Sequence, residues 1–198
     1  MTEFFAVVNA QRACRSFSDT PVPDDLLAPV LTAATHAPSA ENKQPWEFVV
    51  VRDPELREAI GDLTRRAWES HGRAFSEGRL TAKMLAAVDR GATGGVAAAP
   101  VNVVVCADTH RGLEATVASS IFPAVQNMLL AAGALGLGSA LTTITTGYRA
   151  ELQALLALPD HVHPVAVVPL GYPARPLGLP RREPFAQHTH RDRYGTAW

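Results

Sequence analysis

Two pairs of arginines stand near opposite ends of the chain, Arg12 and Arg15 in QRACRSF and Arg181 and Arg182 in LPRREP. A guanidinium is planar, always charged and offers paired donors, which suits it to a phosphate. Short basic runs are also ordinary solvated surface, so charge alone leaves both readings open. Between them lies APSAENKQPWEFVVV, Ala37 to Val51, in which a helix reaches a proline and a run of polar or small residues follows before a strand. Connections are commonly about 4–6 residues long, so this longer one is a candidate site. After Pro38, Ser39 and Ala40 are small enough for backbone to approach a flat ligand, and Asn42 carries a donor and an acceptor on one amide. Such an amide can read the alternating carbonyl and N–H edge that a flavin presents. The competing reading is an ordinary connection held by Asx-type turns, with Trp46 packed beneath it.

Other chemistries find less support. Only Cys14 and Cys106 are present, with no CxxC, so neither a disulfide framework nor a zinc site is expected. The pairs His161/His163 and His188/His190 lack a nearby cysteine or a well-spaced carboxylate, and read as exposed loop histidines with no metal. Gly133, Gly136 and Gly138 mimic a dinucleotide fingerprint, but they follow a helix and precede a strand, the reverse of the order that presents N–H groups to a pyrophosphate. A net charge of −1, from 18 Lys+Arg against 19 Asp+Glu, points to neither nucleic acid nor an anionic membrane as partner. Glu3 stands where a secretion signal would carry a base, and the apolar stretch Met128 to Leu141 is too short to span a bilayer. A cytoplasmic protein is expected.

A chain of 198 residues, 47% of them hydrophobic, can bury a substantial single core. Pro21-Val22-Pro23-Asp24-Asp25 opens a helix, with carboxylates at the positive end of its dipole. Leu27, Val30, Leu31 and Ala34 share a face, Pro29 should kink the first turns, and Pro38 ends the helix. Phe48 to Val51 reads as a buried strand, and Asp53-Pro54 starts a helix carrying Leu56, Ile60, Leu63 and Ala67. His71 to Gly95 is harder to read, with a helix near Leu80 to Val88 and a mobile loop at Gly91, Gly94 and Gly95. Val101 to Cys106 is continuously apolar, so it should be a strand buried on both faces. Ala118 to Leu135 is apolar around much of its circumference and must be a central helix. Ser139 to Ile144 reads as a threonine-rich strand, Arg149 to Leu158 as a helix and Val165 to Leu170 as the last strand. The remainder, Pro173 to Trp198, has little periodicity but carries Phe185, Tyr194 and Trp198, which implies packing against some surface.

RACRSFSDTPVPDDLLAPVLTAATHAPSAENKQPWEFVVVRDPELREAI resembles the N-terminal signature of the FMN-dependent nitroreductase family, and SSIFPAVQNMLLAAGALGLGSALTTI and VAVVPLGYPARP resemble its central helix and last strand. The likeness covers nearly the whole chain except residues 70–95. It implies that Arg12 and Arg15, with Arg181 or Arg182, hold the FMN phosphate, that Pro38, Ser39, Ala40 and Asn42 line the ring, and that Thr142, Thr143 and Ile144 lie beside its N5. Many members carry RRSxR where this chain has Gln11-Arg12-Ala13-Cys14-Arg15, and some carry a glutamate and glycine near N5 where it has Thr142-Thr143-Ile144. The LTT form resembles a less characterised branch.

Alternating helices and strands alone would suggest a doubly wound parallel sheet. The resemblance implies instead an α+β, three-layer sandwich, a mixed central sheet flanked by helices, in an intertwined homodimer. Residues 1–172 would form the FMN-binding domain and 173–198 an extension packed on the partner subunit. The implied activity is ping-pong transfer from NAD(P)H through FMN to a small electron-poor acceptor, nitroaromatic or quinone. A flavin-fragmenting or reductive-dehalogenase-like enzyme on the same fold, or a non-enzymatic flavin-binding protein, are the alternatives.

Overall fold

In the computed structural model, which describes residues 3–198, four strands form one sheet in the order β1-β2-β4-β3. These are β1 (Trp46–Val51), β2 (Val101–Asp108), β3 (Gly138–Ser139) and β4 (Val162–Gly171). Helices α1 (Glu3–Ala10), α2 (Asp24–Thr35), α3 (Pro54–Ala67), α4 (Arg73–Ser76), α5 (Ala82–Arg90), α6 (Val96–Ala98), α7 (Glu114–Ala134) and α8 (Arg149–Leu155) connect or flank them.

Every residue of β2 is buried, as its unbroken apolar run requires. Its alternate side chains feed two cores. Val101, Val103, Val105 and Ala107 meet α2 and α7 on one face, while Val104 and Cys106 meet Ile60 and Leu63 of α3 and Leu152 of α8 on the other. The result is the expected three-layer α+β sandwich. The named strands are antiparallel throughout, and the mixed character is confined, among the described residues, to one parallel bridge between Ala13 and Ser139.

α2 runs unbroken through Pro29, which faces solvent so that the freed carbonyl can be hydrated, and it ends before Pro38. α3 begins under its Asp53 cap, whose carboxylate accepts the Leu56 N–H at 2.9 Å. α7 extends further toward its N-terminus than the apolar stretch suggested. Its length and composition would suit a membrane span, but here it is a core helix, with Ile121, Ala124, Val125, Met128 and Ala132 buried. Its last turn closes at Gly136, whose φ of 77° lies in the left-handed region.

Three expectations are corrected. The strand Ser139 to Ile144 is only the two-residue β3 plus a bridge from Thr142 to Val167, because the chain turns into a 3-10 helix at Ile144–Tyr148. The glycines 91, 94 and 95 form a π-helical turn, Gly91–Gly95, rather than a loop. Of the histidines expected on exposed loops, His188 and His190 are exposed, but His161 is half-buried in a turn and His163 lies in β4 with its Nδ1 buried and unpaired.

Candidate functional site

The segment from Gln11 to Ser18 is laid along the β3 edge of the sheet by backbone bonds, Cys14 N–H to Ser139 O at 2.8 Å and Ser18 N–H to Tyr172 O at 2.9 Å. These hold Arg15 against the Gly91–Gly95 turn. A Cβ on Gly91 would meet Arg15 Cδ at 2.8 Å, and one on Gly95 would meet the Arg15 carbonyl oxygen at 2.6 Å, so both positions need glycine for close approach. The Arg15 guanidinium is half-buried and finds no hydrogen-bond or ion-pair partner among the described residues. Burial, above all, and then the neighbouring charges of Arg12 and Arg90 pull its pKa below the ordinary arginine value.

Arg15 lines a cleft of about 600 Å³, open mouth included, together with Gly91, Gly95, Thr142, Thr143 and Ile144. The Thr142 N–H is spent on Val167 O at 3.0 Å and the Ile144 N–H on Thr142 Oγ1 at 3.2 Å. The Thr143 N–H between them has no partner within the described residues, leaving one backbone donor free. Behind this wall Thr64 and Thr145, both fully buried, share a 2.7 Å hydroxyl–hydroxyl bond.

Pro38, Ser39, Ala40 and Asn42 lie elsewhere, between α2 and β1. Ala40 N–H reaches Ser120 Oγ on α7 at 3.2 Å, Ser39 Oγ accepts the Gln44 N–H at 3.0 Å, and Gln44 Nε2 donates to Asn42 Oδ1 at 3.2 Å. The internal turn bonding is therefore real, and Trp46 is buried beneath the loop. Yet Glu41, Asn42 and Gln44 all have positive φ, 53°, 54° and 49°. Non-glycine residues occupy that region rarely, and clusters of such strain belong to functional loops more often than to plain connections.

The structure brings Arg15, Thr142, Thr143 and Ile144 together and keeps the Pro38–Asn42 loop apart. That loop feeds β1 at one edge of the sheet, while Arg15 and Thr142 sit by β3 at the other. Three strand spacings plus the offset along β4 put them roughly 20 Å apart. Arg12 approaches the C-terminal segment instead, donating to Gly178 O at 2.7 Å. Arg181 and Arg182 line a separate shallow surface with Pro180, Glu183 and His188, not the Arg15 cleft. Sequence reasoning missed Arg90, Gly91 and Gly95 as parts of the site. The signal was the glycine spacing in GATGG, which close packing explains and mobility does not.

The sequence matches the Nitroreductase family over residues 8–172, and the chain belongs to that family. It is 32% identical to a Methanothermobacter thermautotrophicus protein provisionally named NADH dehydrogenase/NAD(P)H nitroreductase, over 86% of this chain and 78% of that one. An iodotyrosine deiodinase of Haliscomenobacter hydrossis is 27% identical over 90% of this chain and 82% of its own length. Among solved structures, a protein of Parabacteroides distasonis with the same provisional nitroreductase name superposes with a TM-score of 0.73 at 25% identity, covering 98% of this chain and 100% of that one.

Proposed function

We propose that the chain is an FMN-dependent NAD(P)H oxidoreductase, acting as a homodimer on a small electron-poor acceptor of the nitroaromatic or quinone type. The observation that carries this reading is Arg15, a half-buried cation with no anionic partner among the described residues, beside Arg12 and Arg90 and in one cleft with Thr142–Ile144. Withdrawing an unpaired charge from water is costly, and a phosphate at that point would offset the cost. The residues fit a flavin mononucleotide: a cationic end for the phosphate, and a threonine-rich wall with a free Thr143 N–H for the ring. When bound, FMN would supply the electron chemistry, taking hydride from NAD(P)H and serving the acceptor in turn.

The chain's own part is to hold and orient. Gly91 and Gly95 give Arg15 its room, and the Thr142–Val167 bridge holds the Thr143 N–H in position. No side chain of the cleft suits acid–base work. The Thr64 and Thr145 hydroxyls are paired with each other, and burial raises the Cys14 thiol above its ordinary value, so it stays protonated. Protons would come from water.

One chain holds only half of this site, and a second copy would bring the Pro38, Ser39, Ala40 and Asn42 loop to the Arg15 cleft. Supporting this, Ala118 and Phe122 on α7, Phe4 and Phe5 on α1, and Phe185, Tyr194 and Trp198 of residues 173–198 all leave apolar surface uncovered in one chain. Arg181 or Arg182 would then complete a phosphate site only through the assembled dimer. The likeness to a deiodinase favours one second reading, reductive dehalogenation, with residues 71–95 over the cleft.

The test is the visible spectrum of the purified protein, followed by NADH and NADPH oxidation with nitroaromatic, quinone, halogenated phenol or oxygen as acceptor. Flavin bands with turnover of a nitroaromatic or quinone are expected. Protein that neither carries nor takes up FMN would overturn the reading, turnover of the halogenated phenol alone would select dehalogenation, and bound flavin without turnover would select a binding protein.

A further inference from the structure

At the end of the sheet remote from Arg15, the turn after β2 meets the turn before β4. Asp108, the last residue of β2, is 8% exposed and pairs in register with Val162. Its neighbour Thr109 donates both its N–H and its hydroxyl to the His161 carbonyl, at 2.9 and 3.1 Å. This double anchor sets His161 beside His110, and the two imidazoles stack with centroids 4.1 Å apart and planes within 3°. Asp108 Oδ1 accepts the His110 backbone N–H at 2.8 Å, which folds the turn after β2 back onto this carboxylate. One ligand atom from each of Asp108, His110 and His161 then lies within 4.8 Å of the other two.

We propose that Asp108, His110 and His161 form a binding site for a divalent transition ion of the Zn²⁺, Co²⁺ or Ni²⁺ class, with water completing the coordination. Two imidazoles select such ions over Mg²⁺ or Ca²⁺, which prefer all-oxygen sites. Ligand bonds of about 2.0–2.2 Å put tetrahedral donors roughly 3.3 Å apart, so closing on an ion asks about 1 Å of side-chain adjustment. Both histidines sit on turns, and the backbone bonds that bring them together stay intact. The pair His161/His163 looked unsuited to metal in the sequence for want of a nearby cysteine or a well-spaced carboxylate; the β2–β4 pairing instead brings His110 and Asp108 to His161.

Arg111 sets the strength of the site. Its Nε is 3.6 Å from Asp108 Oδ2, while its NH1 is 3.7 Å from Glu47, and the side chain is more than half exposed. An arriving ion must therefore compete with this guanidinium for the carboxylate, and Arg111 can turn to Glu47 when it does. The same turn carries Gly112 against Pro45, and Asp108 N–H donates to Pro45 O at 2.7 Å, so a bound ion would brace the loop bearing Ser39 and Asn42.

The experiment is calorimetric titration of the full-length protein with ZnCl₂. One saturable site per chain is expected, with a Kd below about 100 μM. His110→Ala, at an exposed turn position, should weaken it about ten-fold or more. Asp108→Asn, which keeps an acceptor for the His110 N–H, should weaken it as well, and Arg111→Ala should tighten it. Binding no tighter than about 1 mM would overturn the assignment. So would Zn²⁺ affinity unchanged in both His110→Ala and Asp108→Asn, or lost instead in His188→Ala/His190→Ala.

Discussion

The Arg12 guanidinium donates a 2.7 Å hydrogen bond to the Gly178 carbonyl, joining positions 166 residues apart. Beside it, Ala174 N–H bonds Ser16 O at 3.1 Å and Phe17 bridges to Pro173, so the two ends of the chain run together along the β3 edge. Past Gly178 the segment makes its own small cluster, Phe185 against Trp198 and His190 against Tyr194, with its aromatic faces outward. Truncation after Pro173 should therefore abolish FMN binding and convert a dimer into monomer or aggregate. Light scattering coupled to size exclusion reads this directly, and a truncated protein that remains a flavin-bound dimer would sink the shared-site proposal.

Arg15→Ala should weaken FMN binding by an amount on the order of 1.5–3 kcal/mol, the value of one charge-assisted hydrogen bond. Flavin fluorescence quenching measures it. Because the native guanidinium has no hydrogen-bond or ion-pair partner among the described residues, melting of the flavin-free protein should hardly fall.

Gly91→Ala and Gly95→Ala should separate binding from stability. The first pushes on the Arg15 side-chain stem, which can move, and should cost FMN affinity. The second strikes the Arg15 backbone carbonyl at 2.6 Å, which cannot move cheaply, and should destabilise the fold by about 1–3 kcal/mol. Equal melting temperatures for the two variants would contradict this division.

Within the buried hydroxyl pair, Thr64 also donates to Ile60 O at 2.8 Å, so Thr145 is the donor between them. Thr64→Val strands the Thr145 hydroxyl and should cost about 1–3 kcal/mol, whereas Thr145→Val leaves Thr64 satisfied and should cost less. Paired denaturant titrations would expose the reverse order.

Burial pushes the Cys106 thiol from 9.0 up to about 12. Above its unfolded value the unfolded chain loses this proton while the fold keeps it, so the thiol's contribution to stability is full below about pH 9 and declines as pH rises toward 12. A melting temperature that falls above pH 9 is expected, and less steeply in Cys106→Ala. At neutral pH a thiol reagent should label Cys106 only after unfolding.

How much of this was legible in the sequence follows the range of the interactions. Ile60 and Leu63 of α3, the apolar face of α2 and the unbroken run of β2 report burial through local periodicity, and each became the expected element. Ser139 to Ile144 looked like a strand because threonine and isoleucine favour pleated surface, but the tertiary turn at Ile144 overrode that preference. The pairing of Arg15 with Gly91 and Gly95 joins segments far apart in sequence, and no local pattern encodes it. The same holds for Asp108 beside His161, and for the separation of Asn42 from Thr142, which is a property of strand order.

The two-sided burial of β2 also sets a hierarchy of motion. Val103, Val104 and Val105 lie between two neighbouring strands and beneath two cores, so their amides should exchange with solvent deuterium only through opening of the whole molecule. The segment 69–90, in which no residue is buried, has no such tie and should open locally and far more often. The cleft can thus open on its Val88 side to admit and release small molecules, while the Gly91–Gly95 turn stays packed on Arg15 and the sheet is insulated from the motion.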